Sequence, residues 1–307
     1  MEIKFYGVRG SYPVPGNHTI RYGGNTTCIT ISKEIDGKIK RIIIDCGTGA
    51  IPLGKEIVGN FFQQKEALDM IMLFTHLHPD HTQGFPFFAP NYFPQCNLSI
   101  FGMKTLKKHI GMVLEQGMLP PTFPIEYKDL KSTRQHYELK DLSSLYIKSD
   151  MSFSVTQSSD AIFKIDVMQS FAPSHPQQGS LYYKITDLQE NQSIACVWDL
   201  ESHQGGDKRV INFFRGCQAM IHDTQYVTEE YNSDKMVVQG FGHSTYEMAI
   251  ENAAQAGATK LICMHFNPTH SDEKLDGIQA ALSALKEVKE GALPEIILAK
   301  EGLIVSI

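Results

Sequence analysis

The chain has 307 residues, enough for one large domain or two small ones, and its 42% hydrophobic and 20% charged content is ordinary for a soluble globular protein. A net charge of −6, with no basic tract longer than a few residues, argues against a surface built to grip long nucleic acid and favours a small substrate. No apolar run approaches a membrane span, and the first seven residues alternate like a strand instead of forming a signal peptide's apolar core. The six cysteines form no CxxC pair and sit in or beside apolar runs, which predicts reduced core thiols and a cytoplasmic location.

In chain order, a strand over Glu2–Gly7 opens into the turn-rich Val8–Gly16. A second loop, Arg21–Thr27, leads into the strand-like Cys28–Ile31. Ordinary loop chemistry accounts for both loops. Arg9 and Asn25, each beside glycine, are also placed where a close approach to an anion is sterically open. A strand over Lys38–Asp45 follows, and a short helix near 51–58 connects it to the apolar run Met70–Phe74.

That run breaks into Thr75-His76-Leu77-His78-Pro79-Asp80-His81. Three imidazoles and a carboxylate at the end of a core strand each need a partner once desolvated, and a divalent ion is the simplest common one. His76 and His78 are two apart and point the same way on an extended segment, whereas Asp80 and His81 follow a turning proline and can face a second ion. The segment is half of a two-metal site.

The aromatic run Phe85–Phe93 reads as loop packing or as an apolar wall over the ions. A strand over 97–102 and a helix over 104–116 follow. Residues 118–160 are less regular and fit either a lid or an oligomer contact. No linker justifies a boundary, so residues 1–307 read as a single domain. In the second half, apolar runs terminate in or lead to His175, Asp199, His222 with Asp223, and His265. With Asp45 and His76, six runs end in His or Asp, and strand ends on one rim are where α/β folds gather their chemistry. The spacing Ser244-Thr245-Tyr246-Glu247 predicts a capped helix start. A helix over 276–290 and a C-terminal hairpin around Glu301-Gly302 complete the chain.

The His-rich segment closely resembles the H-x-H-x-D-H signature of the metallo-β-lactamase fold superfamily, and the resemblance spans the chain. Asp45 matches the first motif, His76, His78, Asp80 and His81 the second, His175 the third, Asp199 the fourth and His265 the fifth, all in order. The resemblance implies a four-layer αββα sandwich of the α/β (α+β) class, with two pseudo-repeated halves. It assigns His76, His78 and His175 to one ion and Asp80, His81 and His265 to the other, with Asp199 bridging. Five imidazoles and two carboxylates suit two borderline divalent ions; zinc is the default, and manganese or iron remain open. Asp45 is expected to orient a ligand histidine, and Asp223 to play a similar supporting part.

Gly7-Val8-Arg9-Gly10-Ser11, Tyr22–Thr26, Gly84–Phe88 and Gly242-His243-Ser244-Thr245 are similar to the phosphodiesterase branch, which holds tRNase Z and cyclic phosphodiesterases of the phosphoribosyl 1,2-cyclic phosphate hydrolase type. That likeness implies hydrolysis of a small cyclic phosphodiester, a cyclic nucleotide or a cyclic sugar phosphate. An ion-shared hydroxide would attack phosphorus, with Asp80 and His243 as catalytic residues and His243 as the general acid. Arg9, Asn25 and Phe85 are the expected substrate contacts. Pro176-Gln177-Gln178-Gly179 departs from the Gly pair usual after the third motif and alters the neighbouring pocket wall. The alternatives are a carboxylic ester, lactone or thioester hydrolase of the same fold, or a tRNase Z-like RNA phosphodiesterase. The latter is disfavoured because no long, basic Gly/Pro-rich arm is present. Relatives are commonly homodimers, which sets the same expectation here.

Overall fold

Each apolar run singled out above becomes a strand wherever the computed structural model describes it, over residues 1–64, 68–103, 109–170, 179–288 and 293–307. The first seven-stranded sheet is built from β1 (Glu2–Gly7), β2 (Cys28–Ile35), β3 (Lys38–Ile44), β4 (Leu68–Leu73), β5 (Cys96–Met103) and β6 (Thr133–Leu139). The second, eight-stranded sheet holds β7 (Ser144–Lys148), β8 (Phe153–Ser154), β9 (Ala161–Gln169), β10 (Leu181–Asp187), β11 (Gln192–Val197), β12 (Ala219–Asp223), β13 (Lys260–Met264) and β14 (Glu295–Leu298). The last strand, β15 (Ile304–Ser306), returns to the first sheet beside β1. The helices are α1 (Ala50–Gln64), α2 (Pro79–Thr82), α3 (Ile110–Gln116), α4 (Lys208–Phe213), α5 (Thr228–Tyr231), α6 (Tyr246–Ala256) and α7 (Asp272–Val288).

Alternation along the strands makes the layers. In β3 and β4, Ile42, Ile44, Ile71 and Leu73 face the core shared with the second sheet. Their neighbours Ile43, Met70 and Met72 face the opposite way, onto Leu53 and Ile57 of α1 and Ile110 and Leu114 of α3. On the second sheet, α6 contributes Ala249, Ile250 and Ala253 to the same large core as Leu261 and Ile262 of β13. The result is the expected αββα sandwich. Each half runs from antiparallel pairs (β1–β2–β3; β9–β10–β11) into parallel ones (β3–β4–β5; β11–β12–β13), so both halves turn the C-terminal ends of their parallel strands to one rim.

Two expectations are corrected. The C-terminal hairpin does not form: β14 pairs with β13 and β15 with β1, in different sheets. The crossing is fixed at Glu301, which accepts from Asn25, while Gly302 N donates to Phe5 O. Residues 118–160 carry the chain from one sheet to the other and supply β6, β7 and β8. The final helix starts at Asp272, one turn earlier than expected, where the Asp272 carboxylate accepts from Arg21 N and Tyr22 N. All six cysteines are free and buried. Among the described residues no helix is long and apolar enough to cross a membrane.

Candidate metal centre

The rim gathers the chain's histidines and aspartates at successive strand ends. Asp45 follows β3, and His76 lies just past β4. His78 caps α2, which carries Asp80 and His81. From the second sheet come Asp199 beyond β11, Asp223 ending β12 and His265 directly after β13. Asp45, Asp199 and His265 all adopt left-handed backbone (φ 58°, 57° and 60°). Non-glycine residues hold that conformation at a cost of order 1–3 kcal/mol, and it turns the chain abruptly out of the sheet at the points where the polar groups converge.

Ligand atoms of His76, His78 and Asp199 lie within 4.8 Å of one another, and so do those of Asp80, His81 and His265. Asp199 joins the two groups. Its Oδ1 is 3.6 Å from His76 Nε2, and its Oδ2 is 3.2 Å from His81 Nε2 and 3.4 Å from His265 Nε2. Asp80 Oδ2 lies 3.3 Å from both His81 Nε2 and His265 Nε2. These six residues therefore come together as expected. His175 falls outside the described residues.

Proton bookkeeping shows what this donor set fits. His81 Nδ1 lies 2.8 Å from Asp45 Oδ2, a carboxylate that can only accept, so Nδ1 carries the proton. In a neutral ring the Nε2 lone pair then faces oxygens of Asp80 and Asp199, acceptor against acceptors. Either a second proton or a cation must lie between them. Burial opposes the proton, but Asp80, Asp199 and Asp45 still push the His81 pKa well above its ordinary value; His265 is raised in the same way by Asp199 and Asp80. Burial and the nearby His81 push His76 well below, leaving a neutral imidazole with a lone pair to donate. Burial would raise Asp80, but His81 and His265 hold it well below the usual carboxylate range. An entering divalent ion would replace protons on His81 and His265 with its own charge. The residues fit such ions.

Two carboxylates outside this set contact histidines of the rim. Asp45 accepts from Thr75 N, Thr75 Oγ1, His81 and the indole of Trp198, each at 2.8 Å. It fixes the His81 ring and ties the two sheets together beneath the site. Asp223 Oδ2 is 3.2 Å from His243 Nδ1 and accepts from Ser244 N at 3.2 Å. His243 is buried, stacks on His265 with centroids 5.0 Å apart, and brings Nδ1 to 3.9 Å from Asp199 Oδ1. Bonds from His222 and His243 lower the Asp223 pKa against the upward push of burial. His222 faces away from the ions: Nδ1 donates to Asp223 O and Nε2 accepts from Asn252.

The three expected substrate contacts are placed otherwise. The Arg9 guanidinium is fully buried and donates to the carbonyls of Gly23, Asn267 and His270. Asn25 is spent on Glu301 through its backbone N and its side-chain amide. Phe85 is fully buried and stacks on Tyr127; the exposed aromatic of that run is Phe87, edge-on to Phe123. The glycine-rich N-terminal loop still serves the site, through residues the sequence reading passed over. Ser11 N donates to Asp80 Oδ2 at 2.7 Å. A Cβ on Gly10 would overlap the His265 ring and Gln225 Oε1, so only glycine lets the loop close onto that histidine. The capping assignment also shifts by one residue: Thr245, not Ser244, caps α6 by accepting from Met248 N, because Ser244 Oγ donates to Leu200 O.

A two-sheet sandwich with such a cluster on its strand-end rim is the architecture of a metallo-hydrolase. A family model described as a beta-lactamase superfamily domain matches residues 40–266. The chain is 25% identical over 300 residues to the ribonuclease Z of Thermoplasma acidophilum, covering 89% of this chain and 88% of that protein. Its fold is similar to unliganded yeast PDE1 (TM-score 0.63, 15% identity, 100% and 99% of the two chains). It is also similar to the short form of human tRNase Z (TM-score 0.58, 18% identity, 100% and 99%). The chain belongs to the metallo-β-lactamase superfamily.

Proposed function

We propose that the chain hydrolyses a small phosphodiester, such as a cyclic nucleotide or cyclic sugar phosphate, with His243 donating a proton to the leaving alkoxide. The observation that carries this reading is the Asp223–His243 pair, set at 3.2 Å beside Asp199 and His265. Two divalent ions, zinc by default and manganese or iron by the same ligand chemistry, would be held by His76, His78 and His175 and by Asp80, His81 and His265, with Asp199 between them. When bound, they would activate water at neutral pH and neutralise charge on the phosphoryl oxygens.

The remaining work falls to the chain's own groups. Asp45 keeps the His81 proton on Nδ1, which leaves Nε2 to face the ion site. Asp223 holds Nδ1 of His243 toward itself, so the proton given to the leaving oxygen would come from Nε2. Ester, lactone or thioester hydrolysis would use the same ions on a carbonyl carbon, and the pair would serve an alkoxide leaving group there too.

A second reading, cleavage of RNA, is favoured by the curated name ribonuclease Z carried by the T. acidophilum relative. The net charge of −6 weighs against a long nucleic-acid track. Assaying the metal-loaded protein on 2′,3′- and 3′,5′-cyclic nucleotides, a cyclic ribose phosphate and a structured RNA with a 3′ extension separates the two. Turnover of a cyclic diester without RNA cleavage is expected. RNA cleavage with every cyclic diester untouched would overturn the small-substrate reading.

A further inference from the structure

We infer that Glu201 is a positioning residue for His243, clamping the loop before it to the chain segment that carries Asp199. The inference rests on the reading of His243 as proton donor. Glu201 lies two residues beyond Asp199. Its Oε1 accepts from Gly240 N and from Tyr231 Oη, both at 2.7 Å, and its Oε2 accepts from Gly242 N at 2.9 Å. Directly after His243, Ser244 Oγ donates to Leu200 O at 2.6 Å and accepts from Ser202 N at 3.1 Å. Residues 200–202 are thus laced to residues 240–244 on both sides of the histidine.

The clamp answers a local need. Gly240 and Gly242 both have left-handed backbone, with φ of 86° and 84°. Glycine pairs of this kind have wide conformational freedom, so the loop does not define its own shape. Packing anchors it at the buried Val238, while Met236, Val237 and Phe241 are largely exposed. Between that anchor and His243, one carboxylate receives two of the loop's backbone N–H groups in charge-assisted bonds. Asp223 holds the far side of the imidazole, and Glu201 sets where the backbone delivers it.

In Glu201→Gln, one carboxylate oxygen becomes an NH2 group facing N–H donors. With bound ions unchanged, kcat on a diester with an alkoxide leaving group is expected to fall about 10- to 30-fold, with KM within about twofold, because only proton donation is misaligned. Turnover of bis-p-nitrophenyl phosphate, whose leaving group departs without a proton, should fall less than about twofold. Independently of catalysis, hydrogen exchange at the Gly240 and Gly242 amides should quicken by about tenfold or more. Tyr231→Phe, which leaves the carboxylate in place, should show the same leaving-group signature at about two- to threefold. Equal losses on both substrates, or unchanged exchange at the two amides, would overturn the proposal. So would an indifferent Glu201→Gln beside a His243→Ala variant that does discriminate the leaving groups. If His243→Ala itself loses both substrates alike, the acid assignment fails, and the proposal with it.

Discussion

His243→Ala is expected to lower kcat on a phosphodiester with an alkoxide leaving group by roughly 10²- to 10⁴-fold, the usual contribution of a positioned general acid. On bis-p-nitrophenyl phosphate the loss should stay below about tenfold, because a stabilised phenolate needs no proton as it leaves. The contrast follows from geometry. His243 is buried, held by Asp223 and stacked on His265, so its proton is available at one place only. The same geometry offers a competing role, since His243, Asp199 and His265 can also share an ion. Metal content measured beside the two rates decides between them. If the alanine variant loses an ion and both substrates fall together, His243 is a ligand and the acid assignment is wrong.

Asp45→Ala should weaken ion binding about 10- to 100-fold, as removal of groups that orient metal ligands usually does. It should also lower stability by about 3–5 kcal/mol, the range for breaking a buried charged pair from one side. Four donor groups converge on this carboxylate, and Trp198 Nε1 and Thr75 N cannot rotate to find another acceptor. His81, freed of Asp45, can move its proton to Nε2 and so lose the lone pair that faces the ion site. Asp45→Asn should destabilise less, by about 1–3 kcal/mol, since either orientation of the amide leaves one fixed donor facing its NH2 group. Urea denaturation in chelator gives the stability term, and competition with a chelating dye gives the affinity. An alanine variant that binds ions as tightly as wild type would remove Asp45 from the centre.

The residues of the rim cluster were readable because their chemistry is local: His76, His78, Asp80 and His81 announce themselves by crowding, and Asp199 and His265 by ending apolar runs. What was hidden depends on partners far away in the chain. Nothing near Trp198 in sequence shows that its indole reaches Asp45, 153 residues away. Arg9 between glycines reads equally as an anion contact or a buried brace, and only the carbonyls of Gly23, Asn267 and His270 choose the brace. The same holds for the helix start, where two adjacent hydroxyls compete to cap and Leu200 O takes one of them. The last strands look like a hairpin because local pattern carries no information on which sheet each one joins. Residues 118–160 were opaque in part because β6 and β8 are edge strands, where regular apolar alternation is less needed than at the centre.

The central claim, that this rim cleaves phosphodiesters, is tested most directly by comparing the metal-loaded protein on bis-p-nitrophenyl phosphate and on a p-nitrophenyl acyl ester under identical conditions. Both substrates release the same chromophore, so the comparison isolates phosphorus from carbonyl carbon. The account predicts turnover of the diester that is abolished by chelation and restored by divalent ions, with the ester hydrolysed far more slowly. Turnover of the acyl ester with none of the phosphodiester would contradict it.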